Sequence, residues 1–255
     1  MKFSIGSWSF RELFAAGELS IFGYLQSLKY RYHLDCADIW PGMFTSMDDG
    51  YFRRIKAAAD AEGIAITSLA SDMLVWHDDP AVRERQRRDT LRFLDIASIL
   101  NAGIMGIDIG VDQPHMTDEQ FEYAAEQYRI YSGIAAERGF RIAIQNHKAS
   151  SMVPGNLKRI ADMVDSPSFG LILDSDRWLE DKETGDRLVA PHVIHVHFDR
   201  ARIPSREELE SKIRMLLDAG YRGCWSLEYM HGKEPYWDLA CDLAELRRAV
   251  HFAAK

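Results

Sequence analysis

Polar side chains of one chemical kind stand at the ends of four apolar runs in this chain. Gln145 and His147 follow Arg141-Ile142-Ala143-Ile144, Asp174 follows Gly170-Leu171-Ile172-Leu173, His197 follows Ile194-His195-Val196, and Glu228 follows Trp225-Ser226-Leu227. An amide, imidazoles and carboxylates can together hold a divalent cation such as Mn, Mg, Co or Zn. Imidazole and carboxylate also exchange protons near neutral pH. Side chains alternate along a strand, so Ala143, Gln145 and His147 share one face while Ile142, Ile144 and Asn146 share the other. His195 and His197 share a face too. His197 is nearer the strand end and is the better ligand. His195 either touches substrate or, as a buried neutral imidazole, orients a neighbour. Trp8, Trp40, Trp76 and Trp178 fall at or just after strand ends, where an aromatic face stacks on the C–H groups of a sugar ring and excludes water; loop packing is the plainer role for each. Trp225 lies on the face opposite Ser226 and Glu228 and is assigned to packing between strand and helix.

These groups meet only if their strands run side by side in one direction. The pattern predicts strands over residues 3–7, 37–40, 64–70, 103–109, 141–145, 169–173, 193–196 and 224–227. Helices are predicted over 18–30, 48–62, 80–101, 117–138, 154–164 and 205–219, with a last one from about 234. Thr117-Asp118-Glu119-Gln120 resembles a capping box, Ser205 is an N-cap, Pro80 opens a helix, and Gly63, Gly139 and Gly220 close others. Eight strands alternating with helices imply a parallel sheet, and 255 residues suit a closed α/β barrel, a single (β/α)8 TIM barrel spanning residues 1–255. In such a barrel the carboxyl ends of all strands converge on one mouth. No GxGxxG or GxxxxGK[ST] follows the first strand, which leaves the nucleotide-binding folds without their fingerprint.

Composition narrows the function. Net charge is −8, which disfavours nucleic acid or an anionic membrane as partner. Cys36, Cys224 and Cys241 form no CxxC pair, so neither a disulfide framework nor a cysteine zinc site is expected. The first residues are too poor in apolar side chains for a signal peptide, and no run of 18 apolar residues is present. The expectation is a cytoplasmic protein with no membrane span.

Residues 142–147, 170–174, 194–197 and 225–229 resemble the sugar phosphate isomerase/epimerase family with the xylose isomerase-like TIM barrel, and the resemblance runs in element order over nearly the whole chain. It implies one divalent metal held by a fifth-strand Glu, a sixth-strand Asp, a seventh-strand His and an eighth-strand Glu, with the two Glu moving a proton between carbons beside a carbonyl. By this match Asp174, His197 and Glu228 take ligand roles, and Arg202 is placed like a substrate-hydroxyl arginine, with a one-residue gap. Three departures stand out. Gln145 replaces the fifth-strand Glu; an amide oxygen can ligate but brings no charge and cannot act as a base, so metal affinity is expected to be low, down to vacancy. Lys148 stands where glycine is frequent, and Arg177 where a neutral residue is. Either cation could balance the remaining carboxylates or bind an acidic substrate.

The resemblance therefore implies metal-assisted proton transfer on a small sugar, keto-sugar or cyclitol, with Glu228 as base and His147 or Lys148 as second acid/base. Trp8, Trp40, Trp76, Arg177, His195 and Arg202 are the expected substrate contacts. Loss of one glutamate makes a lyase or dehydratase of the same superfamily the competing reading, and a non-catalytic carbohydrate-binding barrel the reading from another class. DNA-repair relatives use a larger ligand set than this chain offers. Relatives of this kind often associate through the barrel, so the resemblance allows a homo-oligomer and leaves the oligomeric state open.

Overall fold

The computed structural model describes residues 1–199, 201–203, 205–229 and 235–254. Eight strands, β1 (Lys2–Ile5), β2 (Cys36–Ile39), β3 (Ala65–Leu74), β4 (Ile104–Asp108), β5 (Arg141–Gln145), β6 (Phe169–Asp174), β7 (Val193–Phe198) and β8 (Cys224–Leu227), pair in parallel in the order β1-β8-β7-β6-β5-β4-β3-β2. A single parallel bridge from Gly6 to Asp38 brings β1 to β2 and nearly closes the ring. Nine helices lie among the described residues: α1 (Arg11–Ala15), α2 (Ile21–Gln26), α3 (Asp49–Ala61), α4 (Pro80–Leu100), α5 (Asp118–Arg138), α6 (Pro154–Val164), α7 (Gly185–Val189), α8 (Arg206–Asp218) and α9 (Pro235–Ala253). This is a nearly closed (β/α)8 barrel.

Local chemistry sets the helix ends. Thr117 and Gln120 form a reciprocal capping box at the start of α5, and Ser205 and Glu208 form one at α8. The Asp79 side chain accepts from the Ala81 amide at the start of α4, beside Pro80. Gly139 ends α5 with φ of 82°, a conformation that a Cβ would oppose. Outward-facing strand residues bury against the helices. Trp225 is 2% exposed and stacks on Phe198, with ring centroids 6.0 Å apart and planes 10° apart, as its position predicted. Strands β6 and β7 approach closely because Gly170 carries no side chain; a Cβ there would come within 2.6 Å of Ile194 Cγ2. That approach sets Asp174 directly beside His197 in the ladder.

Several expectations are corrected. The helix expected over 18–30 is α2 followed by a π-helical turn, Ser27–Arg31. Strand β3 continues past residue 70 to Leu74, with a register shift between Ala70 and Leu74 and Asp72 at φ of 55°. The short helices α1 and α7 carry too few periodic residues to be read from sequence. The expected start of the last helix at residue 234 lies outside the described residues. Among the described residues, no helix is long and apolar enough to cross a membrane.

Candidate metal and active site

Four strand ends supply one tight cluster. The Gln145 amide nitrogen donates to Asp174 Oδ1 at 2.8 Å and lies 3.1 Å from His197 Nδ1. His197 Nδ1 is 3.1 Å from Asp174 Oδ1 and 3.6 Å from Glu228 Oε1. One ligating atom each from Asp174, His197 and Glu228 lies within 4.8 Å of the others. Asn146 clamps the end of β6 from the outer face: its Oδ1 accepts from the Asp174 amide at 2.6 Å and its Nδ2 donates to the Asp174 carbonyl at 2.9 Å. Arg177 donates to Asp174 Oδ2 at 2.7 Å. Gly6 leaves room for Glu228, whose Cγ would lie 3.2 Å from a Cβ at that position.

Gln145, His197 and Glu228 of this cluster line a cavity of about 530 Å³, and Asp174 lines a small crevice that shares Arg177, His197 and Glu228 with it. The facing side comes from β3, β4 and β5. Asp108 Oδ2 lies 3.3 Å from His147 Nε2 and 2.8 Å from Lys148 Nζ. His147 Nδ1 is buried and has no hydrogen-bond partner among the described residues. Trp8 and Trp40 meet edge to face at 4.6 Å, and Trp40 Nε1 donates to Asp72 Oδ2 at 3.1 Å. At the base, Asp38 accepts from His195 and His197.

Not every residue expected at the site reaches it. Trp8, Trp40, Gln145, His147, Lys148, Arg177, His197 and Glu228 line the cavity. Trp76 does not: the longer β3 carries it past the mouth, where it is 7% exposed, donates to Asp78 and packs edge-on against Tyr123. His195 is 1% exposed and spends its Nε2 on Asp38, below the cavity. Arg202 is absent from the main cavity; it pairs with Asp199 and lines a small crevice together with Asp174, His197 and Glu228. Trp178 is buried and donates to Asp186. Asp38, Asp72 and Asp108 line the cavity without having been singled out from the sequence. The signal for Asp38 and Asp108 was present: a carboxylate inside a buried strand is costly unless it is paired.

Burial and mutual charge set the protonation of the cluster. Burial pushes the Asp174 carboxyl up, but His197 and Arg177 outweigh it and hold the group at about 2. Burial pushes Glu228 up to about 7; His197 opposes this while the charges of Asp174 and Asp38 add to it. Burial opposes charge on His197, yet Glu228, Asp38 and Asp174 together raise it well above the ordinary histidine value. His147 is also raised, Asp108 outweighing the effect of burial. Two carboxyl groups and an imidazole therefore crowd one point, and Glu228 holds its proton up to about pH 7. A divalent cation would relieve that crowding, and the donor set suits Mg²⁺ or Mn²⁺, with Zn²⁺ and Co²⁺ also served by the imidazole. Gln145 presents an N–H to the cluster; turning the amide over would offer Oε1 instead.

These shifts carry a stability prediction for the metal-free protein. Glu228 has a folded pKa of about 7 against 4.5 unfolded, so the folded state binds more protons between those values and loses stability as pH rises through them. His197, raised when folded, also contributes stability that is lost as pH rises through its folded pKa. Thermal melts in the presence of a chelator should therefore fall between about pH 5 and pH 8. Glu228→Gln should flatten the decline; an unchanged slope would place its cause elsewhere.

Comparisons with known proteins agree with this architecture. The profile of the xylose isomerase-like TIM barrel family matches residues 31–249. The inosose dehydratase of Klebsiella pneumoniae is 22% identical over 136 residues, which cover 50% of this chain. The match spans only 46% of that protein. The crystal structure of 3-keto-D-glucoside 4-epimerase from E. coli superposes with a TM-score of 0.73 at 14% identity, covering 90% of this chain and 94% of that one. A xylose isomerase-like TIM barrel protein from Mycobacterium smegmatis, crystallised in complex with magnesium, superposes with a TM-score of 0.72 at 16% identity, covering 100% of this chain and 98% of that one.

Proposed function

The chain belongs to the xylose isomerase-like TIM barrel family, and from that premise we propose that it is a divalent-metal enzyme moving a proton at a carbon beside a carbonyl in a small sugar, keto-sugar or cyclitol. The observation that carries this reading is the convergence of Asp174, His197 and Glu228 at the edge of a cavity that His197, Glu228, His147 and Lys148 line. Asp174, His197 and Glu228 would hold the ion, with Gln145 Oε1 as a neutral fourth donor after the amide turns over. The bound ion supplies Lewis acidity to the substrate oxygens.

The remaining chemistry belongs to the side chains. Glu228, whose carboxylate a bound cation would keep ionised, takes the proton from carbon. Asp108 pairs with His147 Nε2 and holds that imidazole in its charged form, so the Asp108–His147 pair is the acid on the other side of the cavity. Lys148 neutralises Asp108 at the rim, and the Trp8–Trp40 pair walls the ring off from water. The arrangement is asymmetric. One wall offers a carboxylate and the other an imidazole, while Gln145 can hold no proton. A base on one side and an acid on the other suit elimination of water, which favours a dehydratase as the second reading, in line with the inosose dehydratase similarity.

The test is proton exchange in D₂O. Mn²⁺-loaded protein is mixed with keto-sugars and inososes, and NMR follows deuterium entering the carbon beside the carbonyl, while ultraviolet absorbance follows enone formation. Exchange without enone marks an epimerase or isomerase; both together mark a dehydratase. Glu228→Gln should slow exchange by about 10²–10⁴-fold. Exchange unaffected by that change removes Glu228 from the reaction, and binding with no exchange on any substrate leaves a carbohydrate-binding barrel.

A further inference from the structure

One carboxylate oxygen beneath the cluster collects three hydrogen bonds. Asp38 Oδ2 lies 2.7 Å from His197 Nε2, 2.8 Å from His195 Nε2 and 3.1 Å from Ser226 Oγ. All four residues are 5% exposed or less. The backbone of Asp38 is held as firmly. Tyr24 Oη accepts from the Asp38 amide at 3.1 Å and shares its one proton between the carbonyls of Ile5, at 2.7 Å, and Asp38, at 3.0 Å, and the bridge to Gly6 ties β1 to β2 at this residue.

A neutral imidazole has one N–H and one lone pair, and only the lone pair can ligate a cation. A cation displaces one proton of the imidazolium; the carboxylate of Asp38 can only accept, so it keeps the remaining proton on Nε2 and leaves the Nδ1 lone pair for an ion among Asp174, Glu228 and Gln145. His195 and Ser226 donate to the same oxygen from β7 and β8 and fix the rotamer of the carboxylate. Resting on the metal reading above, we propose that Asp38 is a positioning residue for metal capture: it selects the His197 tautomer whose Nδ1 faces the cation, and His195 serves as its brace rather than as a substrate contact. The competing geometry is a cation among Asp38, His195 and His197, whose ligating atoms also converge. There the two imidazoles would have to turn lone pairs, not N–H groups, toward Oδ2, and Ser226 would lose its acceptor.

The two arrangements place the cation on different nitrogens. Histidine-labelled ¹⁵N protein loaded with ¹¹³Cd²⁺ should show one-bond coupling at Nδ1 of His197, with Nε2 protonated and His195 uncoupled. Coupling at Nε2 of His197 or of His195 overturns the inference while leaving a metal protein. Absence of Cd²⁺ binding overturns both the inference and the metal reading. Because the wild-type chain is used, the result does not depend on a variant folding. Asp38→Asn offers the imidazole an N–H donor as readily as an acceptor, and should weaken Mn²⁺ binding about 10–100-fold in calorimetric titration. In a His197→Gln background the same change should weaken it no further, since Asp38 acts through that imidazole. Equal losses in both backgrounds would assign Asp38 a merely structural role.

Discussion

Replacing Gln145 with glutamate should raise Mn²⁺ affinity on the order of tenfold or more, because hard-cation affinity follows the charge of the ligand set. The same substitution should weaken the metal-free protein. The Gln145 amide donates to Asp174 Oδ1 and sits against His197 Nδ1. A carboxylate there loses the donated bond and faces Asp174 as a like charge, a change worth about 2 kcal/mol at high pH and less where the new carboxyl takes up a proton. Opposite signs in the two states are the signature. Melting temperature should fall relative to wild type in chelator and rise relative to wild type in Mn²⁺, while calorimetry records the tighter binding. Unchanged or weaker affinity would mean that Gln145 does not border the ion.

The sequence reveals the ring of strands readily, because each buried parallel strand is an apolar run ended by a polar residue and each helix carries its own caps. Asp174, His197 and Glu228 are legible for the same reason: they terminate such runs. Residues inside the runs are harder to read. Asp38 and Asp108 sit within otherwise apolar strands, and their partners, His197 on β7 and His147 on β5, are remote in sequence, so their pairing exists only once the barrel closes. Trp76 misled because β3 extends four residues beyond the apolar run; the extension through Asp72, at positive φ, turns the chain outward and sends the ring toward Tyr123. His195 has the right residue type near the right strand end, but a nearer acid, Asp38, claims it first.

The largest single effect is expected at Asp174, where every functional element of the cluster meets. Its Oδ1 takes bonds from Gln145 and His197, its Oδ2 takes one from Arg177, and the side chain is 6% exposed. Asp174→Asn keeps the shape and removes the charge. Arg177 and the raised His197 are then left as cations with too little counter-charge in a buried place, and breaking a buried pair from one side costs about 3–5 kcal/mol. For a chain of this length that is a fall in melting temperature of roughly 6–12 °C. Asn146 binds the main chain of Asp174, so its clamp on β6 survives and the loss reports charge rather than backbone disorder. Adding Arg177→Gln should recover part of the loss, since the stranded guanidinium goes with it, and the pair should couple by more than about 0.5 kcal/mol in a double-mutant cycle. Metal should bind at least 10²-fold more weakly in Asp174→Asn, as one of two carboxylate ligands is gone. Urea melts at pH 7 of the four proteins, paired with Mn²⁺ titrations, check both statements. Strict additivity of the two substitutions would show that Arg177 and Asp174 do not act as a pair, and retained Mn²⁺ affinity would exclude Asp174 as a ligand.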